Sequence, residues 1–216
     1  VSMRTVYQED AVAWLELQGQ LEGCSIATSL PDFSEFPKLT RAEWAAWFTR
    51  VAALAIRVSA KRGAVIFYQR DVKAEGGWVD KAYLIQKAAE AEGARQLWHK
   101  IVPRVPVGAV AYGKPGYSHL LCFSRELTLE PGQSSADILE SAGDATWARG
   151  MGRQVAEFCC RFILERTDTR TLVAPFCGEG LLLACANAAG LKAIGIERSP
   201  KRAEKARLMQ VEESAT

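Results

Sequence analysis

The sequence predicts an α/β fold: a seven-stranded, mostly parallel sheet with helices on both faces. Three observations predict it. Short apolar runs bounded by turn residues alternate along the chain with stretches of helical periodicity, the pattern of a layered α/β domain. The run Ala64 to Tyr68 is apolar without alternation, as a strand covered on both faces must be. The stretch Arg170 to Pro200, RTLVAPFCGEGLLLACANAAGLKAIGIERSP, reads as strand, glycine turn, helix and second strand, the unit from which parallel sheets are built.

Taken in order, Met3 to Gln8 make the first strand, and Glu9-Asp10 close it before a helix through Trp14 and Leu17. Cys24 to Thr28 is a second strand, apolar enough to be buried, and it runs into Ser29-Leu30-Pro31-Asp32-Phe33, where the proline stops it. Thr40-Arg41-Ala42-Glu43 is a capping box, and Trp44, Trp47, Phe48, Val51, Leu54 and Val58 continue it as the apolar face of a helix. These tryptophans are expected in the core. The strand Ala64 to Tyr68 ends on Gln69-Arg70-Asp71, and a loop carrying Gly76-Gly77-Trp78 precedes a helix that stops at Gly93.

Gln96 to Val102 is the next strand, Pro103 to Gly116 a proline-rich loop, and Tyr117 to Ser124 a further strand. Arg125 to Thr146 is a long polar connection of the kind that is usually functional or disordered. Gly150-Met151-Gly152 then opens a helix whose buried side is Val155, Phe158, Cys159, Phe162 and Ile163, while Arg153, Glu157, Arg161 and Glu165 form a solvated stripe. In the last unit, Thr171 to Val173 is a strand and Phe176 to Gly180 a tight turn. Leu181 to Ala189 is a helix closed by Gly190, and Ala193 to Ile196 a strand ending on Glu197. The 216 residues are expected to form a single domain: 1–124, a connecting loop 125–146, a second part 147–209 and a tail 210–216 that frays.

Composition narrows the function classes. No apolar run approaches the roughly 20 residues of a membrane span, and no signal pattern opens the chain, so an intracellular protein, cytoplasmic or nuclear and not secreted, is expected with no membrane partner. Six cysteines without a C-x-x-C pair point to buried free thiols, with no metal site expected. A net charge of +2 leaves any nucleic-acid interface to a local basic face.

The glycine turn decides the cofactor class. Gly178-x-Gly180 is followed by three leucines, so the third glycine of a dinucleotide fingerprint is missing and no pyrophosphate cradle is written. Glu197, at the tip of the second strand, is placed to accept both hydroxyls of a ribose. APFCGEG followed by AIGIERSP resembles the S-adenosyl-L-methionine (SAM) motif of amino-directed methyltransferases, D-P-F-C-G-S-G and then A-I-G-I-E-x-S-P. VYQEDAVAWL, CSIATSLPD and PGYSHLLCFSR are similar to the opening strand, the S-P-P-Y or D-P-P-Y strand and the late strand of circularly permuted enzymes of this group, which includes bacterial DNA cytosine-N4 and adenine-N6 methyltransferases.

The resemblance implies a Rossmann-like SAM-dependent methyltransferase fold with the catalytic half first and the SAM motif at the carboxyl end. SAM, with S-adenosyl-L-homocysteine as product, would be held by Pro175, Phe176, Gly178 and Gly180, by Glu197 on the ribose, by Asp10 on the adenine amino group, and by Gly150, Met151 and Gly152 at the methionine part. Ser29, Leu30, Pro31, Asp32 and Phe33 would be the catalytic loop, with Ser29 Oγ, the Leu30 carbonyl and Asp32 as acceptors and Phe33 as a stacking platform. Arg70, Arg104 and Lys114 would hold substrate phosphates. Ala174 replaces the motif's aspartate, and Leu30 and Asp32 replace a proline and an aromatic.

The expected activity is N-methylation of an exocyclic base amine. RNA of a tRNA-like kind is preferred over DNA, because 216 residues leave no room for a sequence-reading domain, so shape or a partner protein would choose the target. A carboxylate at position 32 favours guanine N2 over adenine. Two other readings stay open: a binding-only subunit that keeps the fold without catalysis, and a methyltransferase acting on a protein or small molecule.

Overall fold

The computed structural model describes residues 3–74, 76–147 and 150–211. Strands β1 (Arg4–Tyr7), β2 (Cys24–Thr28), β3 (Val65–Gln69), β6 (Arg95–Pro103), β7 (Tyr117–Ser124), β8 (Thr171–Pro175) and β9 (Lys192–Ile196) form one seven-stranded sheet in the order β1-β9-β8-β2-β3-β7-β6. Only β7 runs antiparallel to its neighbours in that sheet. β2, β3 and most of β8 are buried along their length, as their unbroken apolar character requires.

Helices cover both faces. α1 (Ala11–Glu16), α2 (Arg41–Val58) and α3 (Lys81–Ala91) pack on one side around Trp44, Phe48 and Phe67. α4 (Arg153–Arg166), α5 (Leu181–Ala188) and α6 (Pro200–Leu208) pack on the other around Val155, Cys159 and Leu183. The Thr40 capping box forms as its spacing requires, with Glu43 reaching back to the Thr40 N–H at 2.8 Å. All six cysteines are free thiols, five of them buried. Among the described residues no helix is long and apolar enough to cross a membrane.

The structure departs from the sequence reading in three places. Nine strands form among the described residues instead of seven, because the loop around Trp78 is a small hairpin, β4 (Val72–Ala74) and β5 (Gly77–Val79), with the Lys73 ammonium over the Trp78 ring at 5.1 Å. α6, unassigned from sequence, starts with Ser199 as its cap and Pro200 in its first turn. The long connection after β7 is fastened to the sheet edge: Ile138 bridges Ile101, and buried Lys100 donates to the carbonyls of Ser135 at 3.0 Å and Ala136 at 2.7 Å. Of the tail, residues 212–216 lie outside the described residues, and its expected fraying with them.

Chain order and space order meet at β8 and β2. From β8 the sheet runs through β9 to β1, and from β2 through β3 to β7 and β6. Such a reversal point leaves a crevice beyond the carboxyl ends of the two central strands, where α/β sheets bind ligands.

Candidate active site

A cavity of about 480 Å³ occupies that crevice, within the size range of small-molecule sites. Every residue proposed from sequence lies on its wall except Phe33 and Gly152. Phe33 turns to the core, its ring 5.8 Å from that of Trp44, and Phe36 and Trp47 stand on the wall in its place. Gly152 caps α4, and a methyl there would overlap the Ala142 carbonyl, so packing explains this glycine.

One half of the cavity is built by the turn after β8. Phe176 is the one described non-glycine residue with positive φ, at 59°, and Gly178 follows at 58°. A bulky residue in that region is strained, and such strain persists where surrounding structure over-determines it, typically beside a ligand. Gly180, at φ 87°, caps α5, and a methyl on it would sit 2.6 Å from Ala206 Cα, so it permits α6 to pack closely as well as bordering the cavity. Glu197, buried at the tip of β9, accepts from the Gly178 N–H at 3.1 Å and the Ser199 N–H at 2.8 Å. Arg202 lies 3.3 Å from the same carboxylate, with its guanidinium over the Trp147 ring at 5.1 Å. Burial, and next the Glu197 charge, push the Cys177 thiol up to about 12, so it is no thiolate nucleophile.

Asp10 caps α1, its Oδ1 accepting from the Val12 and Ala13 N–H groups at 3.0 Å each. Gly150 and Met151 border the cavity beside Trp147. Ala174 contributes a buried methyl on the wall where the resembled motif carries an aspartate.

The other half follows β2. Thr28 Oγ1 donates to the Pro175 carbonyl at 2.5 Å, tying the two central strand ends together. Ser29, Leu30 and Pro31 continue along the wall to Asp32, which caps a 3-10 turn (Phe33–Glu35) through the Phe33 N–H at 2.7 Å. Asp32 is also an ion-pair partner. Its Oδ1 lies 3.3 Å from the ammonium of Lys81, whose side chain is 2% exposed, and its Oδ2 lies 3.4 Å from that of Lys114. Burial lowers the Lys81 pKa, partly offset by the Asp32 charge.

The proposed phosphate-binding residues sit on this same wall. Arg70 Nε donates to the Pro115 carbonyl at 2.7 Å, and Arg104 donates to the Tyr68 hydroxyl at 2.9 Å. Burial, and then the like charge of Arg104, lower the Arg70 pKa, so an anion placed here would relieve both costs. Gln69 is buried on this wall too, and its Nε2 has no hydrogen-bond partner among the described residues.

Three contributors were missed from sequence. Trp147 and Arg202 adjoin the Gly150 turn and the E-x-S-P run, so proximity to those motifs could have marked them. Lys81 follows Asp80, an ordinary helix cap, and nothing in its spacing signals burial.

No family model and no curated protein matches the sequence. Solved structures match the fold. PvuII DNA methyltransferase (cytosine-N4-specific) is 14% identical, with a TM-score of 0.75 over 100% of this chain and 89% of that one. A candidate DNA modification methylase of Thermus thermophilus, TTHA0409, complexed with S-adenosyl-L-methionine, is 18% identical, with a TM-score of 0.71 over 95% and 92%. The M1.HpyAVI-SAM complex is 14% identical, with a TM-score of 0.62 over 95% and 98%. The chain therefore has the Rossmann-like fold of SAM-dependent methyltransferases.

Proposed function

We propose that the chain is a SAM-dependent N-methyltransferase acting on an exocyclic amine of a nucleic-acid base. One observation carries this: a strained glycine turn with a buried acidic partner, and a loop of hydrogen-bond acceptors, face one cavity from the two strands of the sheet's reversal point. The donor set suits SAM. Glu197 would take the ribose hydroxyls on lone pairs left over from its two backbone contacts, the turn from Pro175 to Gly180 and the Gly150-Met151 segment would hold the methionine part, and Asp10 has a second carboxylate oxygen for the adenine amine. SAM bound there supplies a methyl group already activated as a sulfonium, so the protein's task is orientation.

A base amine is conjugated with its ring, and its lone pair becomes available when acceptors hold its N–H bonds and leave nitrogen pyramidal. Ser29 Oγ and the Leu30 carbonyl are those acceptors, and the Asp32 carboxylate beside them can accept an amine or a ring N–H and take up the proton that the methylated amine releases. A stacked base must be flipped out to reach them. Within this class the target proposed is guanine N2, since the N1–H beside that amine suits a carboxylate.

The SAM motif after β8 follows the acceptor loop after β2 in chain order while the two strands lie side by side in the sheet, which supports a circularly permuted order. RNA is proposed ahead of DNA because the basic residues Arg70, Arg104 and Lys114 gather at the cavity itself, which suits an unstacked single-stranded base, with shape or a partner protein choosing the site. Two of the similar structures are named as DNA enzymes, and the experiment includes that arm. Purified protein with radiolabelled SAM is offered RNA, DNA and protein fractions. Label on RNA is expected. Label on DNA alone reverses the choice of nucleic acid, label on protein alone defeats the base-amine reading, and S-adenosylhomocysteine binding without transfer to any fraction would mark a binding-only subunit.

A further inference from the structure

Lys81 is the costliest feature of the cavity wall. Its ammonium is nine-tenths and more out of water, its one ion-pair partner among the described residues is Asp32, and the Trp44 and Phe48 rings lie 5.6 and 5.9 Å from it. Lys81 also opens α3, where the helix dipole disfavours a cation. Its backbone is fixed: the Lys81 N–H donates to Asp71 Oδ1 at 2.9 Å, and Asp71 Oδ2 accepts from Trp78 Nε1 at 3.0 Å and from His119 Nε2 at 2.9 Å. A buried ammonium is strongly destabilising unless fully paired, and an unbranched apolar side chain would fill the same space without that cost. Packing alone therefore does not account for a lysine here.

Side by side, Asp32 and Lys81 present an acceptor and a donor whose atoms stand 3.3 Å apart, on the wall where the target base would lie. A guanine edge presents the complement, the N1–H donor next to the O6 acceptor, with the 2-amino group on the far side of N1. Adenine places an acceptor at N1, and cytosine places acceptors at both N3 and O2, so either would set a lone pair against the Asp32 carboxylate. Resting on the methyltransferase reading above, we propose that Lys81 is a specificity-determining residue that donates to guanine O6 while Asp32 accepts from N1–H. The ion pair thus reads two adjacent atoms of the base and leaves the 2-amino group to Ser29 and Leu30. Lys114 pairs with the other oxygen of Asp32 and is half exposed, so it adds positive charge without reading the edge.

Two analogues separate this role from a structural one. Inosine keeps N1–H and O6 but lacks the amine; 2-aminopurine keeps the amine but lacks both edge groups. Random-sequence RNA and DNA pools are prepared with guanine, or with either analogue in its place. Methylated nucleosides are identified by mass spectrometry, and binding to the S-adenosylhomocysteine-loaded protein is measured by competition. N2-methylguanine is the expected product, with 2-aminopurine methylated about 10- to 100-fold less efficiently and the inosine pool competing better than the 2-aminopurine pool. Lys81→Met should cut both preferences about tenfold, leaving the share that Asp32 supplies by its contact with N1–H, and Lys81→Arg should cut them less. Wild-type protein that methylates guanine and 2-aminopurine equally, or a Lys81→Met variant that keeps the full preference, overturns the proposal while leaving the methyltransferase reading intact. A product methylated only on adenine or cytosine overturns it in the wild type alone, whether or not the variant folds. Loss of S-adenosylhomocysteine binding and of every methylated base would defeat the underlying reading instead.

Discussion

Replacing Glu197 by glutamine separates ligand binding from folding. The carboxylate satisfies two backbone N–H groups, Gly178 at 3.1 Å and Ser199 at 2.8 Å, and stands 3.3 Å from Arg202. Glutamine has the same shape but one acceptor oxygen, so it keeps one of those contacts and turns an N–H pair toward the other. The buried Gly178 N–H is the one it should keep, because water can reach the half-exposed Ser199. The cost to the empty protein is then that of one unsatisfied group at the low end of its range plus a partly exposed ion pair with Arg202, about 1–2 kcal/mol, or about 2–8 °C in Tm for a chain of this size. A charged acceptor on two ribose hydroxyls is worth more, about 1.5–3 kcal/mol, and its loss should weaken S-adenosylhomocysteine roughly 10- to 100-fold. Calorimetry and thermal melts on the same preparation test both numbers. Unchanged affinity beside a lowered Tm would make Glu197 a purely structural clamp and remove it from the cofactor site.

Gly180→Ala forces φ 87° on an L-residue and drives a methyl to 2.6 Å from Ala206 Cα, so a loss of about 2–5 kcal/mol is expected, visible as a Tm drop of several degrees. Alanine at Arg70, Arg104 and Lys114 together should reduce the slope of log affinity against log salt for single-stranded RNA by about 2, measured by fluorescence titration; an unchanged slope would remove these residues from the phosphate contacts. Burial, and then His119, lower the His99 pKa below its ordinary 6.5. The unfolded chain therefore takes up that proton first, and stability should fall as pH drops below about 6.5, a loss that His99→Gln flattens in urea melts at about pH 7.5 and 5.5.

Local signals were enough for much of the fold. The Thr40 capping box, the unbroken apolar run into Tyr68 and the βαβ unit after Arg170 each specify an element through neighbours within a few residues. The candidate residues that belong to motifs were marked by the same local signals, and most of them line one cavity. Phe33 lies off the cavity wall because an aromatic one position along a turn points elsewhere, and only the packing against Trp44 decides which way. Gly152 lies off the cavity wall with the Ala142 carbonyl where a Cβ would be, and a packing glycine and a ligand glycine look alike in sequence. Lys81 and Lys100 were invisible for a deeper reason. A lysine in a polar-looking stretch is read as solvated, and its burial depends on partners contributed by remote segments: Asp32 for the first, the carbonyls at 135 and 136 for the second.

The sheet order bears on how this protein is made. The central pairing joins Cys24 to Thr171, and the edge pairing joins Arg4 to Ala193, so both wait for the last part of the chain. At roughly 5 to 20 residues per second of synthesis, β2 leaves the ribosome on the order of ten seconds before the strand that covers its flank. During that interval Cys-Ser-Ile-Ala-Thr offers unpaired N–H and C=O groups on a strand without a charge or proline to deter another chain. Slower synthesis between β2 and β8 should therefore lower the soluble yield of this protein, and a pause after residue 124 would lengthen the period of greatest risk.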